Sequence, residues 1–239
     1  MTPTAVFRPA ALSFLRGLKR HNNKAWFEAH RDEYESSIKA AMRSLIEEMD
    51  VRLARFAPEI MGDPKHSMFR IHRDIRFSKN KSPYKTNAGC WFFHRAGTSS
   101  VGQEAEGGGA GFYFHLEPGG CFAAGGLWMP PRPALARLRD AIAGNPKAFV
   151  KAAASPAIRR RFGGISTEAM LKRMPRGFAE DHPAAEWLRH LSFTLSRDLS
   201  DAQVTGSRLP ALLEAEFSAM LPLVRWLNGV LGLKPAVRR

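Results

Sequence analysis

The sequence predicts an α+β fold in which a central antiparallel sheet of about four to five strands is flanked by N-terminal and C-terminal helices. Three observations predict this class. Apolar residues first recur every three or four positions, as they do along one face of a helix. Short apolar or alternating runs with short connections follow, which is typical of antiparallel strands. Helical spacing then returns until near the end. We therefore expect one domain over residues 1–239, in three regions: N-terminal helices (1–64), a central sheet (65–130) and a C-terminal helical region (131–239).

The N-terminal region is predicted to contain two helices. The first covers residues 7–20 and ends at a polar run that contains good capping residues. The second begins after Asn23, a suitable N-cap, and its apolar spacing of three and four continues until Pro58. Because large aromatic side chains are usually buried, we interpret those of this helix as core packing: Trp26, Phe27 and Tyr34.

The central region is predicted to form strands over residues 86–95, 112–117 and 121–128. The last two are joined by a tight turn at Pro118-Gly119-Gly120. Residues 97–111 are rich in Gly and Ser but lack the glycine spacing and the lysine of nucleotide-binding loops, so we interpret them as a flexible connection.

The C-terminal region is predicted to be mainly helical. Four prolines stand where helices begin, because the missing N–H of proline has no partner in the first turn: Pro133, Pro146, Pro156 and Pro183. Asn145 and Ser155 precede two of them as N-caps. Residues 192–196 alternate and predict an edge strand, and residues 209–231 predict a last helix that Pro222 kinks.

Composition limits the class of protein and its partners. The hydrophobic fraction of 44% and the charged fraction of 24% are ordinary for a globular protein, and no apolar run is long enough to cross a membrane. The N-terminus lacks an apolar signal core, so we expect a cytoplasmic protein. Cys90 and Cys121 are then expected to be reduced core thiols. The net charge of +14 favours anionic partners.

Residues 70–85, which we call the cationic ridge, hold the densest positive charge in the chain. Read as a strand, the start of this segment places charged residues on one face and apolar residues, among them Phe77, on the other. Residues 78–83 read as a turn. The ridge carries six cations and one carboxylate, a local charge of 6 − 1 = +5: Arg70, Arg73, Arg76, Lys79, Lys81 and Lys85 against Asp74.

Three stretches resemble an uncharacterised family of bacterial and fungal proteins, the domain-of-unknown-function family 2461. They are residues 22–27 (NNKAWF) with Arg31 and Tyr34, residues 70–85 (RIHRDIRFSKNKSPYK), and residues 172–178 (KRMPRGF) running to 181–183 (DHP). The resemblance spans nearly the whole chain. The family usually has an acidic residue where this chain has Asn80, which makes the local charge more positive. The resemblance implies a single cytoplasmic domain and supplies no substrate or mechanism.

The leading hypothesis is that the cationic ridge binds an anionic, phosphate-bearing ligand. Arginine offers a bidentate fork and lysine a point charge, while Asp74 orients one arginine. The predicted ligand-binding residues are Arg70, Arg73, Asp74, Arg76, Lys79, Lys81, Tyr84 and Lys85. The competing interpretation is a structural charge network, in which Asp74 pairs with a neighbouring arginine and the lysines are solvated.

Two further classes of function stay open. A nucleic-acid-binding module would use the same charge, with Tyr84 and Trp91 stacking on bases if they are exposed. An enzyme would use His72 and Asp74 as acid and base, with Tyr84 as a proton donor.

We expect no cofactor and no membrane contact. A metal site is the weakest hypothesis for this sequence. Cys90 and His94 share one face of a predicted strand, and His115 on the next strand is a third candidate ligand. The paired spacings of known zinc sites are missing, so we expect no metal.

Overall fold

A five-stranded antiparallel sheet forms the centre of the protein. The computed structural model describes residues 5–76, 79–102 and 107–236. The spatial order of the strands follows the chain, and every neighbouring pair is antiparallel. The strands are β1 (Ile60–Met61), β2 (Ala88–His94), β3 (Gly111–Leu116), β4 (Cys121–Leu127) and β5 (Phe193–Leu199). The predicted α+β class is confirmed.

The first N-terminal helix begins at Pro9, slightly later than predicted, and the second begins after Asn23 as predicted but is interrupted. Asn23 caps it by accepting a hydrogen bond from the backbone N–H of Trp26 (2.9 Å). At His30 the backbone leaves helical geometry, where the ring stacks on Trp26 (4.0 Å) and donates from Nδ1 to the Trp26 carbonyl oxygen (2.8 Å). This side chain competes with the helix for a backbone acceptor. The elements are α1 (Pro9–Arg20), α2 (Lys24–Ala29), α3 (Arg31–Glu33), a π-helical segment (Tyr34–Ala40) and α4 (Ala41–Phe56).

Two of the C-terminal helices start at the predicted caps. The side chain of Asn145 accepts from the N–H of Ala148 (3.0 Å), and that of Ser155 accepts from the N–H of Ile158 (3.4 Å). Pro222 lies inside the last helix. The helices are α5 (Arg132–Gly144), α6 (Pro146–Ala153), α7 (Pro156–Phe162), α8 (Ala185–Leu188), α9 (Asp201–Val204) and α10 (Leu209–Val230).

Helix α10 covers one face of the sheet, which we call the core face. The aromatic ring of Phe217 stacks on Phe112 of β3 (4.7 Å between centroids) and contacts Phe92 of β2 (5.7 Å). Gly125 of β4 makes room for the helix, because a Cβ there would lie 2.9 Å from Sδ of Met220. Buried apolar side chains from all three regions form one continuous cluster.

The sheet does not stay within the predicted central region of residues 65–130. Strand β1 precedes it, and β5 joins the far edge from the C-terminal region by pairing with β4. Part of the predicted connection over residues 97–111, namely residues 103–106, lies outside the described residues. Within residues 5–76, 79–102 and 107–236, none of the helices has the length and apolar character that a membrane span requires.

The first half of the cationic ridge is extended, but it is not one of the five strands. Met68 bridges Cys90 of β2, and His72 bridges Tyr84. The carboxylate of Asp74 then accepts a hydrogen bond from the backbone N–H of Arg76 (3.1 Å), a local turn that competes with strand pairing. Phe77 and Ser78, and with them the start of the predicted turn, lie outside the described residues.

Candidate functional site

The face of the sheet opposite α10 is open and forms a groove of about 770 Å³. Successive side chains of a strand alternate between the two faces, and the observed register places one set of alternate residues here. We call this face the groove face. Its floor side chains are Trp91, Tyr113, His115, Phe122, Ala124, Thr194, Ser196 and Asp198.

Two extended segments form the rims of the groove. Along the β2 edge, the backbone N–H of Phe69 donates to the carbonyl oxygen of Gly89 (3.1 Å). Along the β5 edge, the N–H of Ser166 donates to the carbonyl oxygen of Thr194 (2.9 Å). The three strand spacings from β2 to β5 make the floor about 14 Å wide.

Three cations of the ridge lie at the β2 rim, where Arg70, Arg73 and Lys85 line the groove. Within the described residues, no carboxylate is at salt-bridge distance from any of them. Burial lowers the pKa of Lys85, and the positive charges of Arg70 and Arg73 lower it further. These like charges therefore repel one another, and a bound anion would relieve the repulsion.

Two hydrogen-bond donors of the groove have no partner among the described residues. They are Nε of Arg73 and Nε1 of Trp91, and both are shielded from solvent. Buried polar groups are nearly always hydrogen-bonded. Because both donors are shielded from solvent, an acceptor in the groove would reach them only if the surrounding side chains move. A phosphate or carboxylate oxygen would be such an acceptor.

The remaining charged residues of the ridge are on its exposed side. Arg76 forms a bidentate pair with Asp74 (2.7 and 3.1 Å), which lowers the pKa of Asp74 to about 2. Nζ of Lys81 donates to the carbonyl oxygen of Ile75 (2.9 Å), and Lys79 is exposed. These four side chains, of Asp74, Arg76, Lys79 and Lys81, are not among the described residues that line the groove. The structure thus divides the predicted binding residues between two environments.

Tyr84 and His72, the predicted proton-transfer residues, pack together away from the groove. The ring of Tyr84 is 3% exposed and stacks on Phe27 (4.2 Å), and His72 lies 5.2 Å from it. Burial raises the pKa of Tyr84, first among its causes, with the charge of Glu28 second. Asp74, the third predicted member, is engaged with Arg76 rather than with His72.

A second set of polar side chains was not predicted: Tyr113 and His115 on the groove floor, with Glu117 just after β3. Oη of Tyr113 lies 2.9 Å from Nδ1 of His115, and Nε2 of His115 lies 3.3 Å from Oε2 of Glu117. Burial raises the pKa of Tyr113 and lowers that of His115, although Glu117 partly opposes the shift of the histidine. The signal in the sequence is the alternation Tyr-x-His-x-Glu, which places three titratable groups on one face of a strand.

The three side chains considered for a metal do not meet. Cys90 and His115 point to opposite faces of the sheet, because His115 pairs with Gly89 rather than with Cys90. Nε2 of His94 is hydrogen-bonded to the carbonyl oxygen of Lys234 (3.0 Å). The described part of the chain contains no group of three or more His, Cys, Asp or Glu side chains placed to hold a metal ion.

Comparison with known proteins identifies the family. No curated protein and no solved structure matches the chain significantly. The family described as "Conserved hypothetical protein (DUF2461)" matches residues 10–226, which include the cationic ridge, all five strands and nearly all of the helices. The predicted resemblance is confirmed. This chain belongs to that family of conserved hypothetical proteins.

Proposed function

We propose that the groove binds a small anionic, phosphate-bearing ligand through Arg70, Arg73 and Lys85. The observation that carries this proposal is the convergence of these cations on one rim without a carboxylate partner among the described residues. An arginine fork and a lysine point charge together suit the oxygens of a phosphate group.

The rest of the groove indicates what the phosphate is attached to. Aromatic side chains line it beside the cations. The far side of the groove, along β5, is lined by hydroxyl groups and by the carboxylates of Glu168 and Asp198. Its volume of about 770 Å³ falls in the usual range for small-molecule pockets. The ligand we propose therefore has a phosphate at one end, an apolar or aromatic body, and polar groups at the other end.

Nucleic acid is the weaker candidate. The two side chains considered for base stacking, Tyr84 and Trp91, are only 3% and 6% exposed. Proteins that bind single-stranded nucleic acid stack the bases on aromatic rings that are exposed to solvent. The net charge of +14 is the remaining support for this candidate, and it predicts an affinity that falls steeply with salt.

We also propose that the protein works in the cytoplasm. Both cysteines, Cys90 and Cys121, are free and buried. Burial raises the pKa of each thiol, so both resist oxidation. Free thiols suit a reducing compartment.

Calorimetric titration with inorganic phosphate tests the binding proposal. We expect the wild-type protein to bind, and Arg70→Ala, Arg73→Ala and Lys85→Ala each to weaken binding by about tenfold or more, since hydrogen bonds to charged groups are strong. Arg43→Ala is the matched control, because Arg43 is an exposed cation on α4 that is not among the residues lining the groove. Unchanged affinity in all three groove variants would contradict the proposal.

A titration with single-stranded DNA across a range of salt concentrations separates the two candidates. Nucleic acid would be favoured if oligonucleotide binding falls steeply with salt and phosphate competes with the oligonucleotide only weakly. Tight phosphate binding and no measurable oligonucleotide binding would favour the small molecule.

A further inference from the structure

We propose that Tyr113, His115 and Glu117 form a proton relay that hydrolyses a phosphate monoester bound in the groove. This inference rests on the proposed phosphate binding and adds a reaction to it. Its basis is geometric: the three side chains form a hydrogen-bonded line, at 2.9 and 3.3 Å, that runs from Tyr113 and His115 on the groove face of β3 to Glu117 just after the strand. The cationic rim lies beside this line, because the ring of Phe69 contacts both Tyr113 (5.8 Å) and Nζ of Lys85 (5.6 Å).

The two hydrogen bonds define the direction of proton transfer. A carboxylate only accepts, so Nε2 of His115 carries the proton that faces Glu117. In the neutral ring, Nδ1 is then an acceptor, and the hydroxyl of Tyr113 donates to it. Burial keeps the pKa of His115 below its ordinary value of 6.5, so the neutral ring prevails near neutral pH. The lone pairs of the Tyr113 oxygen remain available to a molecule in the groove.

The surroundings hold this line in place. The ring of Phe122 stacks on His115 (4.6 Å) and contacts Tyr113 (5.6 Å), which limits rotation of both side chains. Gly89 provides space for the tyrosine hydroxyl, since a Cβ at this position would lie 2.5 Å from Oη of Tyr113. Side chains whose rotamers are restricted by packing are suited to positioned proton transfer.

The proposed step is hydrolysis by water. The oxygen of a water molecule forms a bond to phosphorus as the bond from phosphorus to the ester oxygen breaks. The proton that the water loses passes to Oη of Tyr113, whose own proton passes to Nδ1 of His115. Glu117 stabilises the resulting imidazolium. The leaving oxygen lies on the opposite side of phosphorus from the attacking water and takes a proton from solvent, while the relay releases its own proton to solvent. The products are an alcohol and inorganic phosphate.

The residues have distinct roles in this step. Arg70, Arg73 and Lys85 offset the negative charge that develops on the phosphate oxygens. Tyr113 is the catalytic residue, because its hydroxyl meets the attacking water. His115 and Glu117 are positioning residues that act through it.

Oxygen exchange between inorganic phosphate and water tests the proposal without knowledge of the natural ester. Exchange is the same reaction with water as both the attacking and the leaving group. Phosphate labelled with heavy oxygen is incubated with the protein in ordinary water, and loss of label is followed by phosphorus NMR. We expect the wild-type protein to catalyse exchange, and Tyr113→Phe to lower the rate by about 100-fold or more while phosphate affinity stays within about twofold. Tyr34→Phe is the matched control, since Tyr34 packs among Phe14 and Phe27 in the N-terminal helices.

A pH profile tests the positioning residues. Exchange requires neutral His115, so the rate of the wild-type protein falls as pH falls through the pKa of that ring. Glu117 raises this pKa, so Glu117→Gln is expected to move the acidic limb to lower pH. The other titratable or charged groups that line the groove are unchanged in this variant: Arg70, Arg73, Lys85, Tyr113, Glu168 and Asp198. If the acidic limb of the rate profile stays at the same pH in Glu117→Gln, Glu117 has only a structural role and is not part of the relay.

The outcomes separate this inference from the proposed function. Phosphate binding without exchange in the wild-type protein would overturn the relay and leave the binding site intact. Absence of phosphate binding would overturn both. Exchange that survives in Tyr113→Phe would contradict the assignment of the tyrosine.

Discussion

On the core face of the sheet, Phe92, Phe112 and Phe114 are fully buried beneath helices, whereas on the groove face Tyr113 and Phe122 remain partly exposed. The two sets come from alternate positions of the same strands. The core face contributes apolar burial and therefore stability. The groove face brings titratable groups and unpaired donors next to a cavity. The comparison indicates that residues on one face of the strands stabilise the fold, while residues on the other face form the candidate site. The alternation of side chains along each strand places the two sets on opposite faces.

The largest expected effect tests the core face. Phe112→Ala should lower the free energy of unfolding by about 3–5 kcal/mol, because it removes a fully buried ring that stacks on Phe217. Phe122→Ala on the adjacent strand is the matched control and should cost about 1–2 kcal/mol, since this ring is partly exposed. Urea denaturation followed by circular dichroism measures both. Equal losses would show that the two faces contribute alike to stability.

The next effect is on binding, with little change in stability. Arg73→Ala should weaken phosphate binding by about tenfold, or about 1.4 kcal/mol, while the free energy of unfolding changes by less than about 1 kcal/mol. Calorimetry and urea denaturation on the same preparation give the two numbers. If the loss of unfolding free energy is as large as the loss of binding free energy, Arg73 is a structural residue. The groove face would then contribute to stability as the core face does.

A smaller effect is expected from the pH dependence of stability. Folding lowers the pKa of His115, mainly by burial, so the unfolded chain binds a proton more readily than the folded one. Stability is then retained above pH 6.5 and falls as the pH drops from that value towards the folded pKa. His115→Gln should reduce this slope, which denaturation above and below pH 6.5 would measure.

His190 provides the comparison for that experiment. Its pKa is also lowered by burial, but it lies beside Trp187 and Phe193, away from the groove floor. The slope that remains in His115→Gln should therefore disappear only when His190 is also replaced. If neither substitution changes the slope of stability against pH, carboxylates rather than these histidines cause the loss of stability in acid.

The smallest effect concerns the exposed side of the ridge. Asp74 has a pKa of about 2 because Arg76 donates to it, so Arg76→Ala should return the pKa towards the ordinary value of 3.8. Carbon-detected NMR of the carboxyl group measures it directly. Phosphate affinity should change far less than in Arg73→Ala. A comparable loss of affinity would mean that the binding surface extends beyond the groove.

Much of the fold could be predicted because its signals are local. The caps at Asn23, Asn145 and Ser155 and the strands of the central region follow from residue type and short-range spacing. The break at His30 could not be predicted, since it depends on one ring that competes for a backbone carbonyl. Strand β5 was predicted as an edge strand, but its partner in the sheet was not.

The candidate site could be predicted only in part. The cationic ridge stands out by charge density, yet nothing in its sequence distinguishes Arg73, which lines the groove, from Arg76, which pairs with Asp74. The pairing of Phe69 with Gly89 across the β2 edge orients the ridge, and these residues are distant in the chain. The line from Tyr113 to Glu117 is visible as an alternation, but its importance depends on which face the helices leave open.

The sequence by itself determined the helices, the strands, the alternation of residues within each strand and the positive charge of the ridge, because these depend on residues close together in the chain. Only the tertiary structure decided that α10 covers one face of the sheet, that the other face forms a groove, and that three of the six ridge cations line it. The physical reason is that burial and unpaired charge depend on neighbours brought together by long-range packing, which local patterns do not encode.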